Sequence, residues 1–349
     1  MTAEPGLRVA GSAVESVLAR YRELTISRLL SGIPESTEDG LYDLVRAYPG
    51  RSGKGLRPAL CLATCRALGG DLDRAINSAV AIELSHNAFL ILDDVQDGSE
   101  MRRGSPTLSA EYGVGVAVNV GSASNLLALQ HLMANRWTLG PNLAWAVLQE
   151  SALMLRHSLE GQAIEISWIR NNACDLVDED YYRMCMKKSS WYTCIYPCRV
   201  GAIVAEGKRD ASARFDRYGC YLGAAFQIQD DLLNLTGSYA RYGKEITGDL
   251  WEGKRTLVLI EYLRGCTAGR RARMECFLSK TRAQRTEAEV RWVRDELLAS
   301  GCVETARARA RALADEAHAE ALKAFNETPD SEDKQFLLDL PYYTVERDS

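Results

Sequence analysis

Residues 72–97 read LDRAINSAVAIELSHNAFLILDDVQD, and the fold follows from this stretch. Apolar residues recur at three- and four-residue spacing and neither glycine nor proline interrupts them, so the pattern predicts one long helix. Asp93 and Asp97 then project from the same face one turn apart, with Asp94 turned away by about 100°. Two carboxylates pointing one way are hard oxygen ligands suited to Mg²⁺, which keeps several waters and shares itself between carboxylates and substrate phosphates. Standing alone, the same pattern is also that of a solvated acidic helix face.

Outward from this helix the same period persists over 14–30, 57–68, 143–169, 180–206 and 211–235, while strand-like alternation is nearly absent. Breaks fall at Gly32-Ile33-Pro34, Tyr48-Pro49-Gly50, Gly69-Gly70, Gly104-Ser105-Pro106, Gly140-Pro141-Asn142 and Thr236-Gly237. The stretch 284–325, rich in Ala, Arg and Glu, reads as two further helices with solvated charged faces. No Pro/Gly/Ser-rich linker divides the 349 residues, so the expectation is an all-α chain forming a single domain over 1–349.

Composition narrows the functional classes. Hydrophobic residues make up 46% and charged residues 26%, enough for a substantial core. A net charge of -5 argues against a nucleic-acid partner, so any anion site must be local. The ten cysteines show no zinc-ligand spacing and are read as reduced thiols. The first twenty residues lack a signal-peptide pattern and no apolar run is long enough to span a membrane, which together predict a cytoplasmic protein.

Cations gather near the acidic residues. Arg102 and Arg103 follow Asp97 closely, and a guanidinium fork can hold phosphate oxygens bidentately. A second acidic pair, Asp230-Asp231, is followed by Lys244, Asp249 and Lys254. Gly53-Lys54-Gly55-Leu56-Arg57-Pro58 adds two cations at a predicted helix start, itself a favourable anion site. Carboxylates that hold metal, metal that holds diphosphate and lysines that neutralise the remaining charge would explain such mixing.

These pieces stand in the order GKGLRP (53–58), DDVQD (93–97) with RRG (102–104), EGQAIEI (160–166), Lys188-Ser189, FQIQDD (226–231), GK (243–244) and DLWEGKRT (249–256). Over about residues 50–260 the chain thereby resembles the trans-isoprenyl diphosphate synthases, and its tail at 340–347 resembles that family's C-terminus. The resemblance implies the isoprenoid synthase fold, a large helical bundle around a central cavity, and a homodimer. It implies an isopentenyl diphosphate site built from Lys54, Arg57, His86 and Arg103. It further implies an allylic prenyl diphosphate bound through Mg²⁺, as three ions, on Asp93, Asp97 and Asp230, with Asp94 completing the first motif. Arg102, Lys188 and Lys254 would neutralise its oxygens, with Lys244 nearby, while Ser189 and Gln227 would turn their dipoles toward an allylic cation. Side-chain bulk at Ala88 and Phe89 would set product length, with geranylgeranyl diphosphate favoured ahead of farnesyl and then geranylfarnesyl diphosphate.

Two positions depart from the pattern: Asn234 replaces the third aspartate of the second motif, and Ser189-Ser190-Trp191 replaces a run of small residues. Two rival readings are weaker. A class I terpene cyclase would carry (N/D)DxxSxxxE, which Asn234 and Ser238 break, and would not need GKGLRP and RRG. A non-catalytic partner subunit of a prenyl synthase commonly loses one aspartate motif, and this chain keeps both.

Overall fold

In the computed structural model, residues 5–35, 38, 40–51, 53–237 and 247–347 are described. The expected all-α architecture is found: among these residues the only strands are Met101–Arg102 and Ser105–Pro106, paired in a small antiparallel hairpin. The helices are α1 (Pro5–Gly32), α2 (Leu41–Gly50), α3 (Leu56–Ala67), α4 (Leu72–Asp97), α5 (Leu108–Tyr112), α6 (Val114–Leu139), α7 (Pro141–Arg170), α8 (Asp178–Cys185), α9 (Tyr196–Glu206) and α10 (Asp216–Thr236). They continue as α11 (Gly248–Glu252), α12 (Leu257–Gly265), α13 (Ala268–Leu278), α14 (Glu287–Ala299), α15 (Cys302–Ala324) and α16 (Glu332–Glu346). Every break read from the sequence falls at a helix end or, for 104–106, in the hairpin.

The quoted stretch is α4 throughout. Asp71 caps its start by accepting from the backbone N–H of Asp73 at 3.1 Å, and Gly98 ends it in the left-handed conformation. Apolar side chains on several of its faces are buried, because α1, α3, α6 and α9 surround it. Its apolar content and length would suffice to cross a membrane, but 78% of that apolar window is buried inside the bundle. The helical ring runs on through α7 and α10 to α15 and α16, and α16 returns to α1 where Tyr21 donates its hydroxyl to Asp333 at 2.6 Å.

The sequence predicted one helix over 180–206, and here the structure differs. Between α8 and α9, residues Met186–Ile195 form a π-helix. Neighbouring helices press on it through glycines: a Cβ at Gly161 of α7 would lie 2.6 Å from Lys188 Cα, and one at Gly223 of α10 would lie 2.5 Å from Ser190 Cα. These close approaches seat the widened turns and aim Lys188, Ser189, Tyr192 and Thr193 into the bundle's central cavity.

Candidate active site

A cavity of about 560 Å³ opens between α3, α4, the π-helix, α10 and α16. On α4 the spacing of Glu83, His86, Leu90 and Asp93 brings all four to its wall. One end is cationic. Arg57 lies 3.2 Å from His86 Nε2 and donates to the Tyr192 hydroxyl at 2.8 Å and to Thr193 Oγ1 at 2.9 Å. Arg103 reaches the same His86 nitrogen at 3.3 Å from a left-handed backbone position. Lys54 stands over the Tyr343 ring, and burial together with Arg347 lowers its ammonium below the usual lysine range. Burial likewise lowers the Arg103 guanidinium, with Arg57 and Arg102 adding repulsion. Arg57, His86 and Arg103, crowded this closely, are suited to an anion with several oxygens, and Lys54 lines the same cavity.

The opposite end interleaves acids with cations. Asp93 accepts from Gln162 Nε2 at 3.0 Å and lies 3.5 Å from Lys188 and 3.7 Å from Arg102. Burial alone would raise its carboxyl, but Lys188, Lys254 and Arg102 outweigh burial and hold it below the usual range. Asp97 goes the other way, raised by burial with Asp93 and Glu252 nearby, although Lys254 stands 2.8 Å from it. Lys188 also binds Glu165, and Lys254 binds Glu252 at 2.7 Å. Across the cavity Asp230 is paired with Arg347, whose guanidinium sits 4.2 Å from the Phe226 ring centroid. Asp231 accepts from Tyr181 at 2.7 Å and from Gln227 at 2.8 Å, and Ser189 donates to Gln227 at 2.6 Å. Burial, with Asp249 beside it, raises the Asp231 carboxyl.

Among the residues singled out in the sequence, Lys54, Arg57, His86, Asp93, Arg102, Arg103, Lys188, Ser189, Gln227, Asp230 and Lys254 all line this one cavity. Asp94 does not. It is 1% exposed and accepts from two nitrogens of Arg102, so it holds that arginine rather than facing the cavity. Ala88 is fully buried, and Phe89 lies behind the wall, edge-on to Tyr192 with ring centroids 5.3 Å apart. Lys244 lies outside the described residues. Trp191 does not border the cavity either: it stacks on His157 at 4.4 Å, which gives this departure from small residues a packing reason. Asn234 accepts from the backbone N–H of Asp249 at 3.1 Å and so ties α10 to α11.

Sequence reasoning named Asp231 only as the neighbour of Asp230 and passed over Gln162, Glu165, Tyr181, Glu252 and Arg347 as individual residues. The EGQAIEI and DLWEGKRT segments contain three of them, and the i, i+3 spacing of Gln162 and Glu165 on one helix face was the available signal.

The donor set fits Mg²⁺. Among the described residues no three His, Cys, Asp or Glu side chains converge as a closed metal cage, whereas carboxylates on opposite walls match an ion that takes its other ligands from phosphate and water.

A helical bundle whose cavity carries an aspartate motif on each wall and cations at both ends defines the isoprenoid synthase fold and a trans-prenyltransferase. Residues 38–297 match polyprenyl synthetase, and the chain belongs to that family. It is 30% identical over 337 residues to the geranylgeranyl pyrophosphate synthase of Geoglobus acetivorans, covering 96% of this chain and 99% of that one. It is 31% identical to the geranylfarnesyl diphosphate synthase of Aeropyrum pernix over 335 residues, 92% and 98% of the two chains. The structure superimposes with a TM-score of 0.85 on a polyprenyl synthase from Caulobacter crescentus complexed with calcium and isoprenyl diphosphate, at 27% identity, covering 96% of this chain and 98% of that one.

Proposed function

We propose that the chain condenses isopentenyl diphosphate with an allylic diphosphate and releases geranylgeranyl diphosphate. What supports this reading is that one cavity is lined by Lys54, Arg57, His86 and Arg103 and also by Arg102, Lys188 and Lys254, of which Arg102 and Lys188 stand beside Asp93. Two diphosphates held there would bring their carbon chains together between them. Asp93, Asp97 and Asp230 are the carboxylates that would hold three Mg²⁺ ions, whose chemistry when bound is to neutralise the departing diphosphate.

The chain's own residues do the rest. Lys188, Lys254 and Arg102 stabilise the negative charge that develops as the allylic C–O bond breaks. Asp94 keeps Arg102 in place, and Gln162 and Glu165 do the same for Asp93 and Lys188. Ser189 and Gln227 turn fixed dipoles toward the carbocation, oriented by Asp231 and Tyr181. The isopentenyl double bond attacks the cation, a carbon–carbon bond forms, and the proton leaves to the released diphosphate. Ala88 and Phe89 limit the length of the growing chain.

Residues 1–349 act as one domain, in the cytoplasm, and as a homodimer. The last reading rests on α6 and α7, adjacent helices that leave Leu126, Met133, Trp137 and Trp145 exposed together, more apolar surface than a monomer usually carries.

One assay tests the reaction. Purified protein with Mg²⁺, isopentenyl diphosphate and each allylic diphosphate from dimethylallyl to farnesyl should give a C20 product by mass spectrometry. No elongation with any primer would sink the proposal.

A further inference from the structure

Beside the Lys254 end of the cavity two arginines are buried with no carboxylate bonded to either among the described residues: Arg255, 2% exposed, and Arg285, 6% exposed. Arg255 donates to the Ala173 carbonyl at 3.1 Å, to Asn172 Oδ1 at 2.8 Å and to the Gly253 carbonyl. Arg285 donates to the carbonyls of Trp251, of Phe277 at 3.4 Å and of Leu278 at 3.2 Å. These acceptors lie at or just beyond the C-terminal ends of α7, α11 and α13. Helix C-termini carry unsatisfied carbonyls and partial negative charge, so two cations here pin three helix ends at one point.

The arrangement has a cost. Burial pulls the Arg285 guanidinium down to about 10, with Arg255 and Arg282 repelling it, and the attraction of Glu289 only partly offsets this. Burying guanidinium groups with no carboxylate bonded to them costs stability that hydrogen bonds to carbonyls only partly offset. What they hold is the turn that presents Lys254. Gly253 sits at φ +74°, and a Cβ there would lie 3.1 Å from Arg285 Cζ, so the guanidinium is packed directly against the turn. From that turn Lys254 reaches Asp97, Glu252 and, at 3.7 Å, Asp249.

We propose that Arg285, which no recognised motif contains, is a positioning residue that fixes the Gly253–Lys254 turn for the allylic diphosphate, with Arg255 as its partner on the α7 side. This rests on the reaction proposed above, and the test separates the two. Calorimetry on the full chain reads the Mg²⁺-dependent part of inorganic pyrophosphate binding, and steady-state kinetics read both substrates. Arg285→Met should weaken pyrophosphate binding about tenfold, the loss expected when charge-assisted hydrogen bonds are removed. It should raise the allylic KM similarly and leave the isopentenyl KM unchanged, because Lys54, Arg57, His86 and Arg103 lie at the other end. Arg285→Lys, which keeps the charge, should fall between, about threefold weaker than wild type. Unchanged pyrophosphate affinity in folded Arg285→Met, or equal rises in both KM values, would overturn the inference. Should Arg285→Met not fold, Arg285→Lys decides, and wild-type affinity in it would count against the proposal. A wild-type chain that elongates nothing speaks against the reaction, while the pyrophosphate titration still reads Arg285.

Discussion

Asp93 and Asp94 are neighbours in sequence and opposites in setting. Asp93 faces the cavity among Lys188, Arg102 and Gln162, whereas Asp94 is turned inward and holds Arg102. Asp93→Ala should therefore lower turnover by about two to three orders of magnitude, since it removes an electrostatic contact made to the reacting diphosphate. Its circular dichroism and melting temperature should stay near wild type, and near-normal turnover would contradict the proposed metal role. Phe89 makes a different claim. Its ring packs edge-on against Tyr192, which borders the cavity, so Phe89→Ala should open space beyond that wall. A helical turn advances about 5.4 Å, close to one isoprene unit, and the expected product is one unit longer by mass. An unchanged product would show that Phe89 is not the floor.

At the scale of elements, what the sequence discloses depends on whether a signal is local. The helix at 72–97 was legible because its period and its freedom from glycine and proline are local, and the Asp71 cap and Gly98 that bound it are local as well. The π-helix at Met186–Ile195 was not, because the residues that seat it, Gly161 and Gly223, belong to α7 and α10. The same division runs through the site. The aspartate motifs are local patterns, whereas the pairing of Lys188 with Glu165 or of Asp230 with Arg347 joins residues far apart in sequence. Asn234 shows a third case: its departure from the motif was visible, but its bond to the N–H of Asp249 was not. Gly223→Ala tests the seating directly. Its Cβ would meet Ser190 backbone, which cannot swing aside, so overpacking should cost about 1–3 kcal/mol or more. A lowered melting temperature together with a loss of turnover is expected, because Lys188 and Ser189 move with the π-helix. A melting temperature equal to wild type would show that the glycine contact is slack.

The whole molecule is arranged so that its outer face bears on its inner one. α6 packs along α4, the helix that carries His86 and Asp93, and its opposite side exposes Leu126, Met133 and Trp137, the last two at 59% and 79%. Large apolar side chains on one stripe of a helix are ordinarily covered, and a second copy covering them would brace α6 and, through it, α4. A charge placed in the middle of that stripe should then act at two levels. Met133→Glu would put a carboxylate where an interface core excludes water, a change that costs several kcal/mol when no partner compensates it. In sedimentation velocity the wild-type chain should run at twice its own mass and the variant at the mass of one chain at low micromolar concentration. Because α4 loses its brace, turnover should fall along with dimer content and recover as protein concentration rises and dimer re-forms. Wild-type protein that sediments as a monomer would remove the dimer from this account. A variant that is monomeric yet turns over normally at every concentration would show instead that each bundle holds α4 in place unaided.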